Sequence, residues 1–127
     1  MTNYIKYEVR VYKDGRKCWF LNGNLHREDG PAIEDAEGTK FWYLNGNRHR
    51  EDGPAEEYND GSKTWYLNGK LHREDGPAVE YSNGDKFWYL NGQLLTEAKF
   101  NKRMTPTVEM TMAQINEALG KNVKVVK

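Results

Sequence analysis

The chain has 127 residues, 37% of them hydrophobic and 13% aromatic, with a mean hydropathy of −0.98, so it supports one domain with a thin core built largely of rings. Its nineteen basic and nineteen acidic residues cancel, but residues 15–92 carry ten and fourteen, a net of −4, while residues 93–127 carry six and three, a net of +3. An acidic body neutralises no phosphates, which excludes nucleic acid as the expected partner.

Residues 4–12, with Ile5, Val9 and Val11 in rough alternation, predict a strand that turns at Lys13-Asp14-Gly15 and pairs with Lys17 to Leu21. No apolar run reaches membrane-spanning length and the first residues lack the apolar centre of a signal peptide, so neither a membrane nor export is expected. Cys18 is the only cysteine; it excludes an internal disulfide and a multi-cysteine metal site, and it points to a reducing, cytoplasmic compartment.

Asn-Gly pairs then recur at Asn22-Gly23, Asn45-Gly46, Asn68-Gly69 and Asn91-Gly92, a constant period of 23 that predicts a repeat architecture. Each follows Trp-Tyr-Leu or Trp-Phe-Leu. Asparagine and glycine tolerate the positive φ of a type I′ turn, so each pair predicts a two-residue hairpin in which Trp19 faces His26, Trp42 faces His49 and Trp65 faces His72. In the fourth unit Trp88 faces Leu95. The segment His-Arg-Glu-Asp-Gly-Pro-Ala occurs three times, from His26, His49 and His72, and its proline demands a bulge or bend rather than strand interior. A further strand and a turn at Glu37-Gly38, Asp60-Gly61 or Asn83-Gly84 lead to the next unit, so each unit adds about two antiparallel strands to one meander. From Thr96, an N-cap, a short helix turns Phe100 inward. Pro106 ends it, Thr107 to Met110 predicts a strand, and Thr111 to Gln114 has the form of a capping box. The second helix carries Met112, Ile115, Ala118 and Leu119, Gly120 stops it, and Val123 to Val126 predicts a last strand. The expected fold is mainly β: an elongated antiparallel meander of 23-residue β-hairpin repeats over residues 1–95, capped by a small α/β element over residues 96–127 that closes the exposed end.

The unit from Trp65 to Gly84 resembles the MORN repeat, a β-hairpin module of about 23 residues, in its period, the aromatic before Asn-Gly, the histidine three residues after the turn glycine and the closing glycine. It is also similar to repeat proteins encoded by phages and bacteria. Arg-Glu-Asp-Gly-Pro stands where the usual pattern has a shorter Gly-x-Gly step, and the lipid binding attributed to some MORN proteins is not carried over. A phage origin, which the resemblance allows, implies a host enzyme as the inhibited partner.

Three histidines beside carboxylates invite a metal or acid–base reading. Equivalent positions in successive units lie two strands apart, about 10 Å, while zinc holds ligand nitrogens about 2 Å away, so His26, His49 and His72 cannot share one ion. Their expected role is a structural column beside tryptophan, each closing a repeated hydrogen bond. Arg27, Arg50 and Arg73 are expected to pair with Glu34, Glu57 and Glu80, and Asp29, Asp52 and Asp75 to accept backbone hydrogen bonds at the bend. No catalytic residue and no cofactor is expected. Phe41, Tyr43, Tyr66, Phe87 and Tyr89 fall on the face opposite the tryptophans, and an uncovered aromatic strip marks a protein contact or self-association. The expected function is a non-enzymatic protein–protein interaction module whose partner is a protein, with a symmetric homodimer as a further outcome. Two alternatives differ in class: an anionic-ligand or nucleotide binder on the His/Arg column, and a hydrolase built on one His-Glu pair.

Overall fold

The computed structural model describes residues 6–105 and 111–119. All four Asn-Gly turns take the positive-φ geometry expected of them, with Asn22, Asn45, Asn68 and Asn91 at φ 50 to 51° and Gly23, Gly46, Gly69 and Gly92 at 80 to 85°. Because a two-residue loop leaves no freedom of register, Phe20 pairs with Leu25, Tyr43 with Arg48, Tyr66 with Leu71 and Tyr89 with Leu94.

The strands are short and antiparallel. The lead-in strand β1 (Tyr7–Val11) pairs with β2 (Lys17–Leu21), which turns back into β3 (Asn24–Leu25). After the first Gly-Pro step come β4 (Ile33–Glu34), β5 (Lys40–Phe41), and the hairpin β6 (Tyr43–Leu44) and β7 (Asn47–Arg48). The next unit repeats this with β8 (Glu56–Glu57), β9 (Lys63–Thr64), β10 (Tyr66–Leu67) and β11 (Lys70–Leu71). Then follow β12 (Val79–Glu80), β13 (Lys86–Leu90) and β14 (Gln93–Leu95). A ten-stranded sheet runs in the order β1-β2-β4-β5-β8-β9-β12-β13-β14, with β3 joined to β2.

One detail departs from a plain meander. Lys-x-Trp-Tyr-Leu is a continuous strand in the first and fourth units, but in the middle two it is interrupted at Trp42 and Trp65, and the hairpins β6–β7 and β10–β11 are separate two-stranded ribbons. The tryptophan is where the strand changes partner. Trp42 donates its N–H to Ala55 O at 2.8 Å and accepts from His49 N–H at 3.1 Å, so one half of the segment pairs forward along the sheet and the other with its own hairpin.

The core lies under these crossovers. Ala32, Ala55 and Ala78, each directly after a Gly-Pro step, are fully buried. The backbone of Ala32 is held between two strands, its N–H donating to Phe41 O and its carbonyl accepting from Trp19 N–H, both at 2.8 Å. Among the described residues no large side chain is fully buried, as the thin hydrophobic content requires.

At the far end Thr96 caps helix α1 (Glu97–Met104), accepting from Lys99 N–H at 3.2 Å, and Phe100 is buried where α1 packs against β13. Thr111 and Gln114 exchange the two reciprocal bonds of a capping box at the start of α2 (Met112–Leu119). The strands expected at Thr107–Met110 and Val123–Val126, the stop at Gly120 and the first residues of the lead-in lie outside the described residues.

Candidate functional site

Each face of the sheet carries one of the two sets of residues singled out from the sequence. On the tryptophan face, the histidines link unit to unit. His26 Nδ1 accepts the backbone N–H of Asn45, His49 Nδ1 that of Asn68 and His72 Nδ1 that of Asn91, each at 2.9 Å. Neighbouring backbone bonds flank each link, Gly46 N–H to Leu25 O at 2.8 Å and Arg27 N–H to Tyr43 O at 3.1 Å in the first case. The exposed turn asparagine would otherwise offer that donor to water. With Nδ1 accepting, the ring proton sits on Nε2, which faces Glu28, Glu51 or Glu74 of the same unit at 3.3 to 3.5 Å.

The arginines, not the histidines, lie on the tryptophans. The guanidinium carbons of Arg27, Arg50 and Arg73 stand 4.0, 3.9 and 3.8 Å from the ring centres of Trp19, Trp42 and Trp65. Arg50 shows the full set of bonds: Nε donates to Asp52 at 3.0 Å, and one terminal nitrogen donates to Pro54 O at 3.0 Å and to Glu57 at 3.1 Å. The expected pairs with Glu34, Glu57 and Glu80 are present, at 3.6, 3.1 and 3.3 Å. The aspartates differ from expectation: Asp29, Asp52 and Asp75 accept from the arginine Nε, because the guanidinium folded over tryptophan reaches them. It also explains the glycine, since a Cβ on Gly53 would fall 2.9 Å from the Arg50 guanidinium carbon. His26, Arg27, His49, Arg50, His72 and Arg73 therefore spend their polar atoms inside the fold. Among the described residues no three His, Cys, Asp or Glu side chains converge to hold a metal ion, and no helix is long and apolar enough to cross a membrane.

The opposite face is where the repeat departs from its own pattern. Positions occupied by Leu25 and Ile33 in the first unit, and by Leu71 and Val79 in the third, hold Arg48 and Glu56 in the second. Glu56 is buried, 3% exposed; its Oε1 accepts from Thr64 Oγ1 at 2.6 Å and from Tyr58 Oη at 3.0 Å, and its Oε2 lies 2.7 Å from Arg48 Nε. That last contact is an ion pair without an aligned hydrogen bond, so the buried Nε–H of Arg48 is left unbonded. Burial alone would weaken the guanidinium's hold on its proton, but the Glu56 charge and the Tyr43 and Tyr66 phenol oxygens outweigh it and the Arg48 pKa is raised. Burial, then the Glu56 charge and its hydrogen bond, push the Tyr58 phenol up to about 12, and burial followed by Glu56 raises Tyr66 as well.

Beyond this pair the aromatic face opens into a groove of about 580 Å³. Tyr66, Phe87 and Tyr89 line it together, whereas Phe41 and Tyr43 lie one unit back, Phe41 edge-on to Tyr58 at 5.6 Å and Tyr43 beside Arg48. Tyr58, Tyr81 and Leu94 also line the groove, and sequence reasoning did not single them out. Tyr81, edge-on to Phe87 at 5.9 Å, sits just before an Asn-Gly turn and was absorbed into the strand pattern; its exposure of 50% follows from its place at the strand end. Arg48 and Glu56 were not singled out either, although they break the 23-residue pattern of Leu25 and Leu71, and of Ile33 and Val79, as a pair. No family model matches the chain, and neither a curated protein nor a solved structure matches it.

Proposed function

We propose that the protein is a non-enzymatic interaction module that docks a protein partner on its aromatic face. One observation carries the reading: the groove concentrates Tyr81, Phe87 and Leu94 at 50, 38 and 55% exposure on a sheet whose apolar content is scarce, and a contiguous aromatic surface of this kind is what protein contacts use. The opposite face supports it indirectly, because the arginines and histidines that an anionic ligand or a hydrolytic reaction would need are held by their own unit or the next. The resemblance to phage-encoded repeat proteins directs the search for the partner to host cytoplasmic enzymes. Replacing Tyr43, Tyr66 and Tyr89 together by Ser is expected to abolish capture of a partner recovered from host lysate while thermal unfolding stays cooperative; undiminished capture overturns the reading. Anionic nucleotides are expected to leave the melting temperature unchanged.

Self-association is a second reading with its own support. Among the described residues strand β1 ends the sheet and turns out Tyr7, Val9 and Val11 at 60, 53 and 68% exposure, an edge able to pair with a second copy. Val9→Lys is expected to convert a dimer to monomer in light scattering. A chain already monomeric at high concentration rules this reading out.

A further inference from the structure

We infer that the groove over Leu71 is a seat for the guanidinium of an arginine carried by the protein partner. This rests on the reading of the aromatic face as a partner surface and adds the chemistry of what enters it.

The chain itself shows what this aromatic column holds. Phe20, Tyr43, Tyr66 and Tyr89 occupy the same position in successive units. The guanidinium of Arg10 stands 4.4 Å from the centre of Phe20, and that of Arg48 lies between two units, 5.8 Å from Tyr43 and 5.4 Å from Tyr66, with Glu56 beside it. One period further on, between Tyr66 and Tyr89, the position of Arg48 is taken by Leu71 and that of Glu56 by Val79. The shorter side chains leave the groove open there, and among the described residues no guanidinium covers Tyr89.

Charge selects the occupant. The lining holds no basic side chain, and with Glu56 buried and spent on Arg48, Thr64 and Tyr58, its available charge is the exposed carboxylate of Asp60. Asp60 is kept ionised by the Ser62 backbone N–H, which donates to it at 2.8 Å, and by the Ser62 hydroxyl. An arginine fits the remaining features: its methylenes pack on Leu71 and Val79, its flat cation covers tyrosine rings, and its N–H groups reach a rim carboxylate. A purely apolar side chain would leave that rim unanswered.

The test titrates the full chain with four-residue capped peptides Gly-Ser-Arg-Gly, the citrulline counterpart, which keeps the shape and loses the charge, and the norleucine counterpart, following assigned tyrosine ring signals by NMR. The arginine peptide is expected to move Tyr66 and Tyr89 and to bind about tenfold more tightly than citrulline, with a Kd on the order of 1 mM. In the variant Leu71→Arg/Val79→Glu, which copies the pair that the second unit already accommodates, the chain fills its own groove and the response is expected to vanish. Tyr89→Leu, which keeps apolar volume, is expected to weaken it. Equal binding of citrulline, an undiminished response in the filled-groove variant, or no shift at several times that concentration overturns the inference. If norleucine moves Tyr66 and Tyr89 and arginine does not, the cation is wrong while the partner surface stands. If the peptides move only signals on the tryptophan face or on β1, both fall.

Discussion

A single ring nitrogen carries much of the joining between units. His26, His49 and His72 each give Nδ1 to a turn N–H nineteen residues ahead, and the donor belongs to an asparagine whose positive φ turns its amide away from its own hairpin. The Asn68–His49 bond is exposed, so water takes up a freed N–H there, and a bond of this kind contributes about 0.5–1.5 kcal/mol. His49→Leu is expected to lower stability by about that much, and His49→Asn, whose Oδ1 occupies the place of Nδ1, to recover most of it in thermal melts of the whole chain. Equal losses in both would mean that ring packing and not the acceptor matters. The cross-strand partnership of histidine and tryptophan was legible in the sequence, because the two-residue turn fixes it. That each histidine closes a repeated hydrogen bond was expected as well, but its partner was not, since the bond joins different units and depends on where the next hairpin lies. The stacking of Arg50 on Trp42 escaped for a related reason: it needs the bend at Gly53 and Pro54 to bring the chain back over the ring.

At the scale of the element, the hairpin β6–β7 and strand β8 bury charge where their counterparts bury leucine with isoleucine or valine. Removing one partner strands the other: Arg48→Leu leaves the Glu56 carboxylate, whose side chain is 4% exposed, without its cation. A fully buried pair broken this way costs about 3–5 kcal/mol, and because the Arg48 side chain is 42% exposed the expected loss is lower, about 2–3 kcal/mol by equilibrium denaturation. The double change Arg48→Leu/Glu56→Val installs the combination found at Leu71 and Val79 and is expected to be neutral or stabilising. A double variant as unstable as the single one would refute the repeat logic. The same cluster predicts an alkaline limb. Tyr58 titrates near 12 in the folded chain against 10.0 in the unfolded one, so above pH 10 the folded state retains a proton the unfolded state has lost, and stability falls as pH rises from 10 to 12. Tyr58→Phe is expected to flatten that limb. The element pattern itself was readable from the period of 23, whereas the interruption at Trp42 was not, because alternation along Lys40 to Leu44 is the same whether the strand keeps one partner or changes it.

For the molecule as a whole, the ends carry the departures that make an array finite. Helix α1 packs against β13, with Phe100 4% exposed, and Phe100→Ala is expected to cost about 3–5 kcal/mol and to expose β13, detectable as lowered melting temperature and concentration-dependent association. A fully soluble variant with unchanged melting would show that the helix does not cap. Thr96 and Phe100 announced this helix through capping and spacing, so the cap was legible locally, while its seat on β13 was a matter of packing. The first unit has no predecessor, and its Asn22 N–H donates instead to Lys6 O at 2.8 Å. No Asn-Gly pair follows the last in the sequence, and Leu95 stands there in the histidine position. Four turns thus need three histidines, which is the number the chain contains. It follows that an in-frame duplication of a block of 23 residues taken between Asn22 and His72 brings one new turn and one new histidine together, so that turns still outnumber histidines by one. An array of this design therefore tolerates a change of length, at little cost to folding, in steps of one whole unit.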